Sequence, residues 1–430
     1  MVGGRRDWGV RASEASPPSH PLPCTPESGT VVCDARVAYA AGADWGVKWA
    51  AAARGLVASL PAAAVARAEA ACIAGTSASV LLVDGDTMEV LAPPLLYSDA
   101  ATPAAVAAAA ALAPAGHPAV APTSITAKVV QWWLEGRVTG NAVVVSASDY
   151  ASAALAGASA PARLRVSDDN NQLKAGWDPA AGAYEGWWAA HAACAALAPR
   201  VVRPGRGTGV AAGPGSPLPL GCRLAGGTTD SVAAFVAAGA ASPGDAVTSL
   251  GSTLALKLVS PVRVDDGPSG VYSHRLGDWW LVGGASNVGG AVLRALFADA
   301  ELDALCARID ASTPPLHAYY PLPRPGERFP VCDPGKPPVL APRPADDAEF
   351  VKCILAGIAG VEAAGYARLT ALGAPAPTRV LTAGGGAANA AWTAMRGRLL
   401  APASVEAAVE GEAAVGAALL ALRGCGRGAR

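Results

Sequence analysis

Residues 224–239, LAGGTTDSVAAFVAAG, contain the pattern that decides the fold of this chain. The apolar pair Leu224 and Ala225 precedes a glycine turn, and Asp230 then begins a segment with the apolar spacing of a helix. This order predicts a strand, a tight turn and a helix, with a carboxylate facing the N-terminal helix amides. That carboxylate can serve as a helix cap or as a general base that takes a proton from a substrate hydroxyl. Local sequence leaves both roles open.

Glycine turns recur in the second half of the chain. Gly251, Ser252 and Thr253 separate two apolar strand segments, which predicts either a phosphate cradle or an ordinary hairpin turn. Residues 283–290 (GGASNVGG) and 384–389 (GGGAAN) each follow an apolar strand and precede a helix. Glycine there allows a nucleotide to approach the main chain, or a strand and a helix to pack closely. Neither segment matches a P-loop or a dinucleotide fingerprint.

Composition limits the classes of function. The chain has 430 residues, 52% hydrophobic and 16% charged, which predicts two globular domains of about 200 residues each. The net charge is −1 and no basic tract occurs, so no nucleic-acid partner is predicted. The apolar runs are mostly alanine interrupted by Pro and Gly, so no membrane-spanning segment is predicted. The nine cysteines and five histidines are scattered without zinc spacing, so we interpret the cysteines as reduced thiols and predict no metal site built from these residues.

The sequence predicts an α/β chain in three parts. Residues 1–28 have no apolar period and are predicted to be a disordered leader; they faintly resemble an organelle transit peptide, although Asp7 and Glu14 oppose that interpretation. Strand-like runs then alternate with alanine-rich helices. The boundary between the two domains is placed at Pro243, which gives domains at 29–243 and 244–430. A proline-rich segment, 312–344, is predicted to be a surface excursion.

Taken together, these segments resemble the FGGY family of carbohydrate kinases, and within it the plant and cyanobacterial D-ribulose kinase group, which is xylulose kinase-like. The similarity extends over roughly residues 30–423. Its most specific segments are CIAGTSASVLLVD, VSDDNNQLKAGWDPAAGAYEGWW, LAGGTTDSVAAFVAAG, AVTSLGSTLALKLVSPVRVDD, GVYSHRLGDWWLVGGASNVGGAVLRALF, GERFPVCDP and LTAGGGAANAAWTAMRGRLL. The resemblance implies two actin-like (RNase H-like) lobes with a catalytic cleft between them, the first lobe binding sugar and the second binding ATP.

The same resemblance implies roles for individual residues. Asp230 corresponds to the catalytic base and also contacts the sugar, as Ser77 does, and Asp149 falls in a segment beside the sugar pocket. The implied ATP-binding residues are Gly251, Ser252, Thr253, Gly290, Arg294, Gly385, Gly386 and Asn389. The implied cofactors are ATP and Mg²⁺, and the implied partners are a small-molecule sugar and ATP.

Three departures from the family pattern affect the prediction of activity. The family begins with an apolar strand and a DxGTS-type phosphate turn, and the nearest candidate here is 7–13 (DWGVRAS), which lacks the Thr-Ser pair. We therefore expect the first strand and phosphate turn of the N-terminal lobe to be missing. Ala74 replaces a usual acidic residue, and Ala388 replaces a common lysine.

The functional prediction is ATP-dependent phosphorylation of a sugar hydroxyl, on a pentulose such as D-ribulose. The alternatives are a catalytically inactive sugar- or nucleotide-binding pseudokinase, and a truncated gene model of an active kinase. The sequence identifies neither the sugar nor the oligomeric state. The resemblance implies a chloroplast location, whereas the N-terminus is a poor transit peptide, so the predicted location is the chloroplast or the cytoplasm.

Overall fold

The computed structural model describes residues 6–10, 31, 33–39, 44–114 and 117–424. The chain divides into two compact units. Unit 1 comprises Met1–Val236 and Glu412–Arg430, and unit 2 comprises Ala237–Gly411. The boundary predicted at Pro243 therefore lies a few residues inside unit 2. The C-terminal segment, predicted to belong to the second domain, lies in unit 1, so the chain crosses from one unit to the other twice.

Unit 1 contains short strands and mostly short helices. The strands are Arg6–Val10 (β1), Ala35–Tyr39 (β2), Ala70–Ala71 (β3), Ala74–Gly75 (β4), Val80–Asp84 (β5), Val90–Leu95 (β6), Ala142–Ser146 (β7), Val166–Asp168 (β8), Trp177–Asp178 (β9), Ala183–Tyr184 (β10), Arg200–Val202 (β11), Gly207–Ala211 (β12), Arg223–Ala225 (β13) and Thr228–Thr229 (β14). The helices are Trp45–Ser59 (α1), Ala62–Val65 (α2), Pro103–Leu112 (α3), Ile125–Leu134 (α4), Ala147–Ala154 (α5), Ala160–Leu164 (α6), Asp169–Gln172 (α7), Gly186–Ala189 (α8), Ala192–Leu197 (α9) and Asp230–Ala237 (α10).

Small sheets organise unit 1. An antiparallel sheet of order β6-β5-β7 has β5 and β7 almost wholly buried, as expected from their runs of Val and Leu. Two short parallel pairings, β13 with β3 and β14 with β4, bring the segment before Ser77 beside the segment before Asp230. The strand, turn and helix predicted around Asp230 are thus confirmed.

Unit 2 is built on one mixed sheet of six strands. The strands are Asp245–Leu250 (β15), Leu254–Ser260 (β16), Tyr272–Leu276 (β17), Trp279–Ser286 (β18), Arg379–Ala383 (β19) and Ser404–Ala407 (β20), in the order β17-β18-β16-β15-β19-β20. The helices are Gly290–Leu296 (α11), Asp299–Ala307 (α12), Asp347–Ala371 (α13) and Ala390–Leu399 (α14). A final helix, Ala413–Gly424 (α15), returns to unit 1. The core of unit 2 lies where α13 packs on the sheet, with Leu256, Ile354 and Ile358 buried in it.

Two predictions of local structure are wrong. Arg6–Val10, predicted to be part of a disordered leader with no strand, is strand β1 and pairs antiparallel with β2. Residues 11–13 of the candidate phosphate turn lie outside the described residues. Gly283 and Gly284, predicted to form a turn, belong to strand β18. A Cβ at Gly283 would lie 2.3 Å from the carbonyl oxygen of Leu256, so close strand packing requires this glycine.

Helix α13 is a long apolar segment that the sequence analysis did not identify. By length and composition alone this helix could cross a membrane, with a mean hydropathy of 1.4 in its most apolar window. Of that window, 67% is buried inside the protein, where α13 supplies much of the unit 2 core. Core helices that are buried on most sides share this composition.

Candidate functional site

A cavity of about 790 Å³ in unit 2 collects most of the predicted ATP-binding residues. Six of the eight line it: Gly251, Gly290, Arg294, Gly385, Gly386 and Asn389. They come from three places, which are the hairpin turn after β15, helix α11 and the segment after β19. The volume falls within the range of about 300–1,000 Å³ that is typical of small-molecule sites.

The hairpin turn and α11 are in direct contact through main-chain hydrogen bonds. The N–H of Gly290 donates to the carbonyl of Gly251 at 2.8 Å, and the N–H of Ala291 donates to that of Ser252 at 3.2 Å. The guanidinium of Arg294 donates to the Ser252 hydroxyl at 2.6 Å. A Cβ at Gly289 would lie 2.6 Å from the carbonyl oxygen of Ser252, so this approach requires glycine. Ser252 and Thr253 do not line the cavity, but the turn that contains them is held against it.

Asn389 is the best-fixed predicted residue of this cavity. Its Oδ1 accepts from the N–H of Trp392 at 2.9 Å and so caps α14. Its Nδ2 donates to the sulfur of Cys306 at 3.0 Å, and burial raises the pKa of the Cys306 thiol. Sequence reasoning missed Cys306 and the neighbouring lining residues Leu302 and Ile309. Leu302, Cys306 and Ile309 are four and three residues apart, which is the spacing of one helix face. This pattern in the sequence could have identified them.

Asp230 lines a second cavity, of about 860 Å³, in unit 1. It is the first residue of α10, is exposed, and accepts from the N–H of Ser231 at 2.6 Å. The strand before it is held by Asn170, whose Nδ2 donates to Thr228 Oγ1 at 3.0 Å. Lys174 lies close enough that the charge of Asp230 partly offsets the lowering of the Lys174 pKa by burial. Sequence reasoning missed both Asn170 and Lys174, although both lie in the SDDNNQLKAG segment.

Ser77 lies in a strained turn. The next residue, Ala78, is fully buried and has φ +63°, a conformation that alanine rarely adopts. The buried ammonium of Lys128 donates to the carbonyls of Ala78 at 2.7 Å and Leu96 at 2.6 Å, and burial lowers the pKa of Lys128 to about 8. The turn is therefore fixed from inside the protein. Ser77 itself is half-buried and does not line the Asp230 cavity, whereas Thr76 and Ser79 do.

Asp149 is not placed as a sugar contact would require. It is 1% exposed and pairs with Arg163 at 3.0 Å, and the hydroxyls of Ser146 and Ser167 donate to its carboxylate at 2.7 and 2.6 Å. These partners occupy the carboxylate, so the geometry gives Asp149 a structural role. Asp168 lies in the same interior, where burial and the charge of Asp149 raise the pKa of Asp168.

The residues fit ATP better than they fit a bound metal. In unit 2, bare glycine main chain and an arginine face a cavity of suitable size. Among the residues that the structure describes, no group of three or more His, Cys, Asp or Glu side chains could hold a metal ion. Mg²⁺ is usually held through substrate phosphates with one or two carboxylates, so it would arrive with the nucleotide.

Comparison with solved structures defines the class of fold. The chain is similar to xylulose kinase from Bifidobacterium adolescentis (TM-score 0.75, 20% identity, covering 93% of this chain and 89% of that one). It is also similar to xylulose kinase from Rhodospirillum rubrum (TM-score 0.74, 23% identity, 92% and 86%). A third similar structure is glycerol kinase from Plasmodium falciparum with ADP (TM-score 0.75, 13% identity, 93% and 86%). The chain therefore has the two-lobed, actin-like α/β fold of these kinases.

A sequence match makes the assignment more specific. Residues 246–425 match the C-terminal domain of the FGGY family of carbohydrate kinases. The matched residues contain all eight predicted ATP-binding residues.

Proposed function

We propose that this chain transfers the γ-phosphate of ATP to a hydroxyl of a pentulose such as D-ribulose, with Asp230 as the general base. The observation that carries the proposal is the position of Asp230, an exposed carboxylate at a helix start that lines a cavity. The match of residues 246–425 to a carbohydrate kinase domain supports the reaction class. D-ribulose follows only from the sequence resemblance described above.

The proposed reaction is an in-line displacement. The sugar hydroxyl loses its proton to the Asp230 carboxylate while its oxygen attacks the γ-phosphorus, and the bond to the β-phosphate oxygen breaks to release ADP. The main-chain amide of Ser231 fixes the Asp230 carboxylate, and Lys174 lies close to it. Glycines 251, 290, 385 and 386 line the cavity in which the nucleotide would bind. Mg²⁺, bound with ATP, would neutralise phosphate charge.

Asp230→Asn tests the assignment of the base. The purified chain is assayed for ADP release with Mg-ATP and a panel of D-ribulose, D-xylulose, L-ribulose and glycerol. We expect turnover on one ketose, and a fall of about 10²-fold or more in Asp230→Asn, because the amide cannot accept the proton. Calorimetric ATP binding should persist. Asp86→Asn, an exposed carboxylate in the same unit, is the matched control and should retain activity. Undiminished turnover in Asp230→Asn would overturn the assignment.

A pseudokinase is the second candidate. The observation that favours it is strand β1, in which Asp7 and Gly9 belong to a ladder with β2 and form no turn. ATP binding without ADP release on any sugar of the panel would support this candidate. Chloroplast or cytoplasmic location, and the absence of nucleic-acid and membrane partners, stay predictions.

A further inference from the structure

Lys128 of α4 is a buried cation that bonds to main-chain carbonyls. Its side chain is fully buried, and its ammonium donates to the carbonyl oxygens of Ala78 at 2.7 Å and Leu96 at 2.6 Å. No carboxylate among the described residues forms a salt bridge with it. Hydrogen bonds from a charged donor are about twice as strong as those between neutral groups. Lys128 therefore holds both carbonyls firmly.

Ala78 has a strained main-chain conformation. Its φ is +63°, which brings the Cβ of an L-residue close to the carbonyl oxygen that follows it. The same carbonyl accepts the hydrogen bond from Lys128. Rotation of this peptide group to a relaxed conformation would break that hydrogen bond. The ammonium therefore opposes the relaxation that the strain favours.

The strained turn begins beside the candidate base. Strands β4 and β14 pair in parallel, with Gly75 opposite Thr229. The next residues along the two strands are Thr76, which begins the turn, and Asp230. Both residues line the same cavity of unit 1. Because neighbouring strands lie only about 4.8 Å apart, a displacement of the turn would change the surroundings of the Asp230 carboxylate.

The remaining contacts of the turn hold its two ends. The hydroxyls of Thr76 and Ser79 lie 2.6 Å apart, and the N–H of Tyr97 donates to the Ser79 hydroxyl at 3.0 Å. The N–H of Ala147 donates to the carbonyl of Ser79 at 2.9 Å. Lys128 instead holds the strained middle of the turn. Loss of its ammonium should therefore change the conformation of the turn without detaching its ends.

We propose that Lys128 is a positioning residue for the sugar: it holds the turn 76–79 in the conformation that orients the acceptor sugar beside Asp230. The inference rests on the proposed kinase function, because it takes the turn and Asp230 to bind the sugar. Lys128 is fully buried, so it acts through the turn. No residue of the turn lines the unit 2 cavity, so ATP affinity should not depend on Lys128.

Separate measurements of sugar affinity and ATP affinity test the proposal. Lys128→Met removes the ammonium and keeps an unbranched side chain. Calorimetry gives the Kd of ATP and of each sugar in the panel of D-ribulose, D-xylulose, L-ribulose and glycerol. We expect the native chain to bind one ketose, and Lys128→Met to bind it at least about 10-fold more weakly. The Kd of ATP should stay within about 2-fold of the native value.

Ala78→Gly supplies a rescue experiment. Glycine adopts positive φ without the steric cost that alanine has, so the turn then depends less on the ammonium. The double variant Lys128→Met, Ala78→Gly should recover most of the sugar affinity that Lys128→Met loses. A role for Lys128 in general stability alone would not be relieved by removal of one β-carbon.

Ser124→Ala is the matched control on the same helix. The buried Ser124 hydroxyl caps α4 by accepting from the N–H of Ala127 at 3.1 Å. Its removal should lower the Tm and leave sugar affinity at the native value. If circular dichroism shows that Lys128→Met does not fold, Lys128→Gln replaces it. The side chain of glutamine is one bond shorter, so its amide should reach at most one of the two carbonyls.

Four outcomes would overturn the proposal. Native sugar affinity in the Lys128 variant would show that the turn does not need the ammonium. An equal loss of sugar and ATP affinity would indicate general damage to the fold. Failure of Ala78→Gly to restore sugar binding would separate Lys128 from the strain at Ala78. Each of these results leaves the proposed function intact, whereas a native chain that binds no sugar of the panel would overturn both.

Discussion

Asp168 and Asp149 are two carboxyl groups in the interior of unit 1 that differ in their partners. Asp149 pairs with the guanidinium of Arg163 at 3.0 Å. Asp168 accepts hydrogen bonds from the N–H groups of Asn170 and Asn171 at 3.0 Å each, but it is fully buried and close to a negative charge. Burial and the charge of Asp149 raise the pKa of Asp168 to about 7. Asp168 therefore keeps a proton in the folded chain at pH values at which an ordinary Asp side chain has lost it.

This raised pKa makes stability depend on pH. Between about pH 4, the ordinary range for Asp, and about pH 7, the folded chain holds a proton that the unfolded chain has lost. The unfolding free energy contributed by Asp168 is thus fully present below about pH 4 and is lost as the pH rises through about 7. Relative to Asp168→Asn, the native chain should lose on the order of 1 kcal/mol or more between pH 5 and pH 7.5. Urea unfolding of both proteins at the two pH values measures this, and parallel pH profiles would contradict it.

Sequence reasoning at the residue scale succeeded where a role depends on chain neighbours. Asp230 was placed at a helix start because the turn and helix that position it adjoin it in the sequence. Asp149 was predicted to lie by the sugar pocket, yet its environment is set by Arg163 and Ser167, which only the tertiary fold brings to it. The residues next to Asp149 in the sequence contain no pattern that predicts the burial of its side chain.

At the scale of elements, a buried cluster ties two neighbouring strands of unit 2, β15 and β19, to two helices. Arg396 of α14 pairs with Glu362 of α13 at 2.6 Å, and both side chains are fully buried. Arg396 also donates to Thr382 of β19 at 2.7 Å, and Thr248 of β15 donates to Glu362 at 2.5 Å. The turn that contains Gly251 follows β15, and the segment that contains Gly385 follows β19. The cluster therefore fixes the elements that carry the cavity proposed to bind ATP.

Removing one member of this ion pair should cost more than removing both. Arg396→Met leaves Glu362 buried without its cation, which should lower the unfolding free energy by about 3–5 kcal/mol. The double variant Arg396→Met, Glu362→Met replaces the pair with apolar side chains of similar length and should recover most of that loss. Urea denaturation of the native chain, both single variants and the double variant provides the test. A double variant no more stable than Arg396→Met would contradict the expectation.

Most elements were predictable because their signals are local. The hairpin around Gly251 and the helix after Asn389 follow from alternation, a glycine turn and periodic apolar residues. Gly283 and Gly284 misled the prediction, since a glycine needed for close packing inside a strand looks the same in sequence as a glycine in a turn. Strand β1 has few apolar residues, and its pairing with β2 across a long intervening segment left no local pattern.

At the scale of the whole molecule, the cavity that we propose binds ATP lies entirely within unit 2, so ATP binding can be tested through that unit. A Cβ at Gly385 would meet nothing within 4 Å, and Gly385 lines the cavity. Gly385→Leu should therefore fill nucleotide space without straining the main chain. We expect ATP to raise the Tm of the native chain, and its affinity to fall at least about 10-fold in Gly385→Leu, equivalent to about 1.4 kcal/mol.

Gly397→Leu is the matched control for this prediction. Gly397 also has open space around a Cβ, but it lies in α14 outside the cavity lining. Differential scanning fluorimetry over a series of ATP concentrations compares the three proteins. If ATP raises the Tm of Gly385→Leu as much as it raises the Tm of Gly397→Leu, ATP does not bind in this cavity.

The interrupted layout of unit 1 has a consequence for synthesis on the ribosome. Unit 2 is one continuous stretch, Ala237–Gly411, whereas unit 1 needs α15, which is translated after all of unit 2. At about 5–20 residues per second, the N-terminal 236 residues wait on the order of ten seconds or more for their last helix. Helix α15 packs tightly there, since a Cβ at Gly416 would lie 1.8 Å from the carbonyl oxygen of Ala233. During that interval we expect the nascent chain to expose the apolar surface that α15 later covers, which is the condition under which unfinished domains aggregate or need chaperones.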